Sequence, residues 1–446
     1  MSAASKYVRG LGEVGAGDRA TVGGKAASLG ELLRAGIRVP DGFVVTVRAF
    51  EQALRALDPD GAIRREVEQL PAGDASAIAE ATKRVRARMA AAPLPDDVRH
   101  EIVACYRKLG GTGGTGGGGA GAGESGGGAG AGESGGGAGA GESGGGVGAG
   151  ESGGGMGAGE SGGVPVAVRS SATGEDDAET SFAGLQDTYL WVRGEQDLLA
   201  RVRDCWASLY NAEAIGYRLR MKIGEQDLAM AVVIQRMVEP RCAGVMFTCS
   251  PTTGDRSVIA VEGCWGLGSA LVGGDVTPDS FVISKVTGEI LRRSVAVKLR
   301  LHRVGPGGAG VITGDVPAPL REAACLSDAE IAALAQLGRR VEEHYGVPQD
   351  IEWAITDGAS PGESVVLLQS RPETVWARRR ARRPVATAKA SAMDHVFEQL
   401  GRVNVVATTT PAVPGPPAAS AAPAPASPAA NEVSQGSPST PTGSER

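Results

Sequence analysis

A chain of 446 residues with 69 glycines and 25 prolines carries a formal charge of −6 and a pI near 5.5. That balance excludes a body that grips nucleic acid or an anionic membrane surface through bulk charge. The glycines and prolines crowd into two blocks, 110–163 and 384–446; the remaining residues, about 330, are ample for a buried core in two or three subdomains.

The N-terminus, MSAASKYVRGLGEVGAGD, has no apolar signal-peptide core. No run approaches the ~20 apolar residues needed to span a bilayer, so a cytoplasmic protein without membrane contact is expected. The cysteines at 105, 205, 242, 249, 264 and 325 form no Cys-x-x-Cys pair and have no histidines at zinc-ligand spacing. They read as free thiols.

Helical spacing of apolar residues marks 26–35, and directly ahead of it stands Gly23-Gly24-Lys25. Free backbone N–H groups at a helix start, the helix dipole and an ammonium all favour a phosphate there. This is not a Walker A loop, because Arg19 stands where the first glycine belongs and Ala26 where Ser or Thr would bind magnesium. Taken alone, the tripeptide describes a solvated loop more often than a phosphate site.

Helices follow at 50–57, 76–92 and 97–109. From 121 a nine-residue unit of the form GAGESGGGA recurs five times, the last copy shortened, with one glutamate per copy and almost no apolar surface. Such a composition cannot offset its ordering entropy. A calcium-binding β-roll also repeats glycine-rich nonapeptides, but it needs an Asp ligand and a large apolar residue in each turn, and both are missing. The segment 110–163 is therefore read as a disordered insertion joining 1–109 to 164–383, two parts of one folded unit.

An apolar strand at 164–168 ends in Arg169-Ser170-Ser171, and an acidic, glycine-containing loop follows. A cation beside hydroxyls at a strand end suits phosphate oxygens, and the loop 181–184 could close over them; a turn whose arginine pairs with Glu175, Asp176 or Asp177 is the plain alternative. A helical stretch at 195–222, strands at 229–235, 258–261 and 281–284, and a helix at 327–345 come next. DIEWAIT and SVVLLQSRP then read as a hairpin whose second strand covers 364–368. Alternation places Asp350 and Glu352 on one face of the first strand, and Gln369 and Arg371 on one face of the second. If those faces coincide, oxygen ligands suited to Mg²⁺ converge with an arginine; if not, the hairpin is an ordinary ion-paired one. The mixture argues for an α+β or α/β architecture.

The tail 384–446 is mostly Ala, Pro, Ser and Thr and is read as disordered, with one amphipathic stretch at 392–406. Just before it, Arg378, Arg379, Arg380, Arg382 and Arg383 form a charge run that could meet RNA or an acidic subunit, although a solvated domain edge explains it as well.

Five motifs carry a resemblance that spacing alone does not. GGKAASLGELLRAGIRVPDGFVVT, VAVRSSATGED with SFAGLQDTYL, VIQRMVEPRCAGVMFTCSP, EGCWGLGSALVGGDVTPD, and DIEWA with LLQSRP stand in the same order as in the nucleotide-binding domain of phosphoenolpyruvate synthase and pyruvate phosphate dikinase. Rifampin phosphotransferase and the split phenylphosphate synthase share that domain, and the match covers nearly all of 6–109 and 164–376. The resemblance implies an α+β ATP-grasp fold with ATP between two subdomains. It implies that Lys25, Arg169 and Arg371 hold ATP phosphates, that Glu352 and Gln369 bind Mg²⁺ with help from Asp350, and that Gln235, Met237 and Val238 line the adenine. Glu262 would approach the ribose, while Thr188 and the Gly184 loop would cover the phosphates.

One departure is Ser269, where many relatives carry Glu after Gly-Leu-Gly; Asp275 could supply the missing contact. Complete relatives continue into a swivelling domain with a phosphorylated histidine in a Gly-Gly-x-Thr-Ser-His loop. The histidines here, His100, His302, His344 and His395, lack that context and are expected to be surface or helix-facing. The expectation is a split enzyme: this chain activates ATP, and a separate subunit carries the histidine and the acceptor site. A regulatory module that kept the fold and lost catalysis, marked by Ser269, is the rival; a stand-alone ATPase or kinase comes third.

Overall fold

Two antiparallel sheets divide the chain, and one helix is packed between them. The computed structural model describes residues 5–111, 163–173, 187–308, 310–356, 360–374 and 376, all within one unit. The first sheet and its helices are built from β1 (Val8–Gly10), α1 (Arg19–Arg34), β2 (Gly42–Val45), α2 (Val47–Leu57), α3 (Ala62–Glu68), α4 (Ala75–Ala91), α5 (Asp96–Gly111), β3 (Val166–Ala172), β4 (Thr188–Val192), α6 (Glu195–Ala207), α7 (Ala212–Met221) and β5 (Met230–Arg236). Its strand order is β1-β2-β5-β3-β4.

The chain then crosses to β6 (Cys242–Phe247), β7 (Val258–Trp265), the short α8 (Ser269–Val272), β8 (Asp279–Ser284) and β9 (Ile290–Ser294). A separate hairpin of β10 (Arg300–Val304) and β11 (Val311–Asp315) leads to α9 (Asp328–Tyr345), β12 (Gln349–Ile355), α10 (Pro361–Ser364) and β13 (Val365–Pro372). The second sheet runs β13-β12-β6-β7-β8-β9. Two sheets with helices packed on them make this an α+β fold, in agreement with the ATP-grasp that the resemblance implied. No helix among the described residues is long and apolar enough to cross a membrane.

Strand β5 explains why the two halves hold together. Its alternation sends Met230, Val232 and Ile234 into a core shared with α2, α4, α5, α6 and α7, while Ala231 and Val233 enter a core shared with α1, α9 and the second sheet. A central strand buried on both faces must be apolar throughout, and MAVVI is. Helix α1 contributes Val22, Ala26, Leu29 and Leu32 to the second of these cores. Burying side chains of this size contributes roughly 1.5–3 kcal/mol each for the larger ones, which fixes α1 between the sheets.

The helices expected at 50–57, 76–92, 97–109 and 327–345 are α2, α4, α5 and α9, each displaced by a few residues at most. Helix α9 begins on a capping box, Ser327 with Glu330, and stops at Gly346 with φ +69°. Helix α1 starts earlier than 26, because a first turn from Arg19 precedes a break at Gly23. The stretch 195–222 is two helices, not one. After α6 a 3₁₀ turn at Ser208–Tyr210 buries Leu209 and Tyr210, Asn211 adopts an extended conformation, and Arg218 of α7 reaches back to the Leu209 carbonyl.

The early strands β1 and β2 were absent from the expectation because they are only three and four residues long, too short to show alternation. The helix α5 continues through Gly111, two residues into the glycine-rich segment. The repeats themselves, the loop 181–184 with Gly184, the arginines 378–383 and the tail all lie outside the described residues.

Candidate functional site

Alternation on β3 turns Val166 and Val168 toward the helices of the first sheet and Ala167 and Arg169 toward the second. Gln235, beside Ala167 across the β3–β5 ladder, faces the same way. On the second sheet, Gln369, Glu352, Val245 and Glu262 stand side by side on consecutive strands β13, β12, β6 and β7. The next row holds Arg371, Asp350 and Phe247. The two faces of the hairpin therefore coincide, the outcome that alternation alone had left open.

The crossing from β5 to β6 closes one end of a cavity of about 420 Å³ between the sheets. Arg169, Thr188, Gln235, Met237, Val238 and Glu352 line it, together with apolar groups that include Leu190, Ala243, Leu267 and Leu368. An apolar slot with a few convergent polar groups is the usual form of a small-molecule site.

Arg169 ties the two sheets together at this point. Its Nη1 donates to the Leu368 carbonyl at 2.9 Å and to Gln235 Oε1 at 3.4 Å. Its Nη2 donates to Glu352 Oε2 at 2.9 Å and to Gln369 Oε1. The residue is only 8% exposed, yet its Nε has no partner among the described residues. Gln235 Nε2 and Asp350 Oδ1 are likewise buried without a partner there. Buried polar atoms left unpaired are costly, so the two donors, on residues that line the cavity, ask for an acceptor, while Asp350, outside the cavity wall, offers its oxygen to a cation.

Asp350 lies 3.6 Å from Arg371 Nε. Burial pushes its carboxyl up to about 6 despite the pull of that guanidinium. Among the described residues no three His, Cys, Asp or Glu side chains group as a closed metal site. The cation ligands available here are Asp350, Glu352 and the Gln369 amide oxygen. That set fits Mg²⁺, which commonly takes one or two carboxylates and completes its shell with phosphates and water.

Lys25 does not line the cavity; it is carried on α1, which packs against β3, β5 and β13. Gly23 has φ +75°, and a Cβ there would come within 2.1 Å of the Ser171 carbonyl oxygen, so glycine is required for the helix to meet β3. Ser171 Oγ accepts from Ala26 N–H at 3.2 Å and donates to the Val22 carbonyl at 2.8 Å. One turn later, Ser28 Oγ donates to the Ser370 carbonyl at 2.6 Å. Lys25 thus sits on a turn pinned to β3 two residues from Arg169 and to β13 next to Gln369.

Glu262 shares the face of Glu352 but is not in the cavity wall. Ser269 is, and its Oγ lies 2.9 Å from Nδ1 of His302. His302 is thus neither a surface nor a helix-facing residue: it lies on β10 with its ring 16% exposed. Nothing in the sequence spacing linked it to Ser269, 33 residues earlier. The Leu368 carbonyl was also missed, since backbone acceptors leave no trace in residue type.

Comparison with known proteins matches residues 19–116 and 153–392 to the family described as "Pyruvate phosphate dikinase, AMP/ATP-binding domain". A probable phosphoenolpyruvate synthase of Methanothermobacter thermautotrophicus is 37% identical over 83% of this chain and 46% of its own length. A phosphoenolpyruvate synthase of Aeropyrum pernix is 37% identical over 80% of this chain and 41% of its own. A rifampicin phosphotransferase of a Streptomyces species is 36% identical over 82% and 35%. The chain spans less than half the length of these curated relatives. It belongs to the pyruvate phosphate dikinase AMP/ATP-binding domain family.

Proposed function

We propose that this chain binds ATP between its two sheets and delivers the β,γ-pyrophosphoryl group to a histidine on a partner subunit, releasing AMP. The observation that carries the reading is the position of Arg169: a buried guanidinium at the inner side of an apolar cavity, held by acceptors from both sheets and with one N–H left over.

In this reading the adenine occupies the apolar end beside the crossing, where Met237 and Val238 contact it and the Gln235 amide donates to a ring nitrogen. The phosphates extend toward Arg169, with Lys25 and Arg371 supplying further positive charge. Thr188, opposite Arg169 on β4, and the loop at Gly184 cover them. Mg²⁺, held by Glu352, Gln369 and Asp350, would neutralise charge on the transferred phosphates. These residues need do little bond chemistry themselves, because phosphoryl transfer asks mainly for positioning and charge stabilisation.

The reaction is a substitution at the β-phosphorus. An imidazole nitrogen of the partner forms the new N–P bond, the bond from that phosphorus to the bridging oxygen of AMP breaks, and AMP leaves with the electron pair. The imidazole loses its proton to solvent. Water then takes the outer phosphoryl group from the pyrophosphoryl-histidine as inorganic phosphate, leaving phosphohistidine; the acceptor of that remaining phosphoryl group, whether pyruvate, a phenol or another hydroxyl compound, binds on the partner.

The test is to incubate the chain with Mg²⁺ and ATP, with and without a histidine-domain subunit from the same source, and to quantify AMP and ADP. AMP formed only with the partner supports the split pyrophosphoryl transfer. ATP binding without AMP under any partner means a regulatory module, and ADP from the chain alone means a different phosphotransfer.

A further inference from the structure

One wall of the cavity holds an array of Ser269, His302 and Asp275 that the phosphate chemistry leaves unused. Ser269 lines the cavity beside Leu267 and Gly268. Its Oγ lies 2.9 Å from Nδ1 of His302, and Nε2 of the same ring lies 3.3 Å from Oδ2 of Asp275. The His302 carbonyl accepts from Leu267 N–H at 2.9 Å, so the histidine and the loop carrying Ser269 are fixed to each other.

Asp275 sets the order of donors along this array. A carboxylate only accepts; in the tautomer that Asp275 favours, the ring proton sits on the Nε2 facing it and Nδ1 accepts from the Ser269 hydroxyl. With its single proton engaged, Ser269 Oγ presents lone pairs to the cavity. It can receive a hydrogen bond from a ligand and cannot give one. A phosphate oxygen without a proton is a poor match for it; a ligand hydroxyl is a good one.

Position narrows the choice. A Cβ on Gly268 would lie 3.5 Å from Ala243 Cβ, so this loop stands over the start of β6, next to the crossing. Arg169 meets Glu352, which is opposite Val245 farther along the same strand, and Arg371 and Asp350 lie in the row beyond it. The inference rests on the reading that ATP fills the cavity with its base at the crossing and its phosphates at those cations; the sugar then lies between the two, over the start of β6 where Ser269 stands. We propose that Ser269, held as an acceptor by His302 and Asp275, recognises a ribose hydroxyl of the bound nucleotide and so makes the site selective for the intact sugar. Ser269 touches the ligand; His302 and Asp275 are positioning residues.

The experiment is calorimetric binding of ATP, 2′-deoxy-ATP and 3′-deoxy-ATP, each with Mg²⁺, to the full chain and to Ser269→Ala, His302→Asn and His302→Leu, with a melting curve for each protein. The wild type is expected to bind one of the two deoxy analogues about five- to twentyfold more weakly than ATP, the effect of one lost hydrogen bond at a buried acceptor. Ser269→Ala is expected to bind all three alike, at the affinity of that analogue. His302→Asn, whose amide oxygen can stand where Nδ1 stood, keeps most of the preference, and His302→Leu loses it. A wild type that binds ATP and both analogues equally overturns the proposal without need of any variant, as does a Ser269→Ala protein that keeps the preference. A His302→Leu protein that keeps it overturns the positioning role. Failure of the wild type to bind ATP at all overturns the ATP reading itself, and this proposal with it.

Discussion

Arg169 Nη2 and Glu352 Oε2 meet at 2.9 Å across 183 residues of sequence, and their contact joins the first sheet to the second inside the cavity. Each is also a residue that the proposed reaction needs for something else: the guanidinium for phosphate, the carboxylate for Mg²⁺. The pair keeps two opposite charges compensated until a ligand bearing both an anion and a cation replaces the contact. Glu352 is 37% exposed but Arg169 is buried and keeps its other acceptors, so removing the carboxylate charge should cost the fold on the order of 1–3 kcal/mol. Glu352→Gln is therefore expected to melt several degrees below the wild type while losing most of the tightening of ATP binding that Mg²⁺ brings. Titrations of ATP with and without Mg²⁺ check this; an unchanged Mg²⁺ effect would remove Glu352 from the metal site.

Gly23→Ala tests how Lys25 is placed. The new Cβ would meet the Ser171 carbonyl at 2.1 Å, at a φ of +75° that L-residues rarely adopt. A cost on the order of 1–3 kcal/mol is expected from the strain alone. The Tm should fall by several degrees, and ATP affinity should fall more than Tm predicts, because the turn bearing Lys25 moves away from β3. Equal affinity in a protein that still folds would mean that Lys25 is not a phosphate ligand.

The Asp350 carboxyl gives the metal-free protein a signed pH dependence. In the folded chain burial holds its proton up to about pH 6, whereas in the unfolded chain the proton leaves near pH ~4. Between those values the folded state binds more protons, so stability falls as pH rises through that window and levels off above it. The size is on the order of 2 kcal/mol once partial exposure is allowed for. Melting curves in a chelator from pH 4 to 7 should show this decline superimposed on other titrations, and Asp350→Asn should flatten that part of the profile. A profile identical in both proteins would contradict the assignment.

Sequence periodicity made some of this legible and tertiary contact hid the rest. Strand alternation put Asp350 with Glu352 and Gln369 with Arg371, but whether the two faces coincide depended on the hairpin register, which only the structure supplies. The Gly23-Gly24-Lys25 turn was visible as a helix start, but the reason for glycine, the approach to Ser171, depends on a strand about 150 residues away. The break between α6 and α7 escaped notice since Leu209 and Tyr210 continue the apolar pattern through it. Ser269 stood out only against relatives, and its bond to His302 joins a loop to a hairpin with no shared pattern.

The central claim is that the cavity between the sheets takes ATP with its phosphates at Arg169, and calorimetric titration of Mg²⁺-ATP into the wild type, Arg169→Ala and Arg169→Lys tests it most directly. One guanidinium serves several acceptors from both sheets, a geometry that an ammonium cannot copy. The account predicts a single ATP site in the wild type and a loss of affinity of at least about tenfold in both variants, the lysine included, consistent with roughly 1.5–3 kcal/mol per charge-assisted bond. Folded variants that bind Mg²⁺-ATP as tightly as the wild type would place the phosphates elsewhere and contradict it.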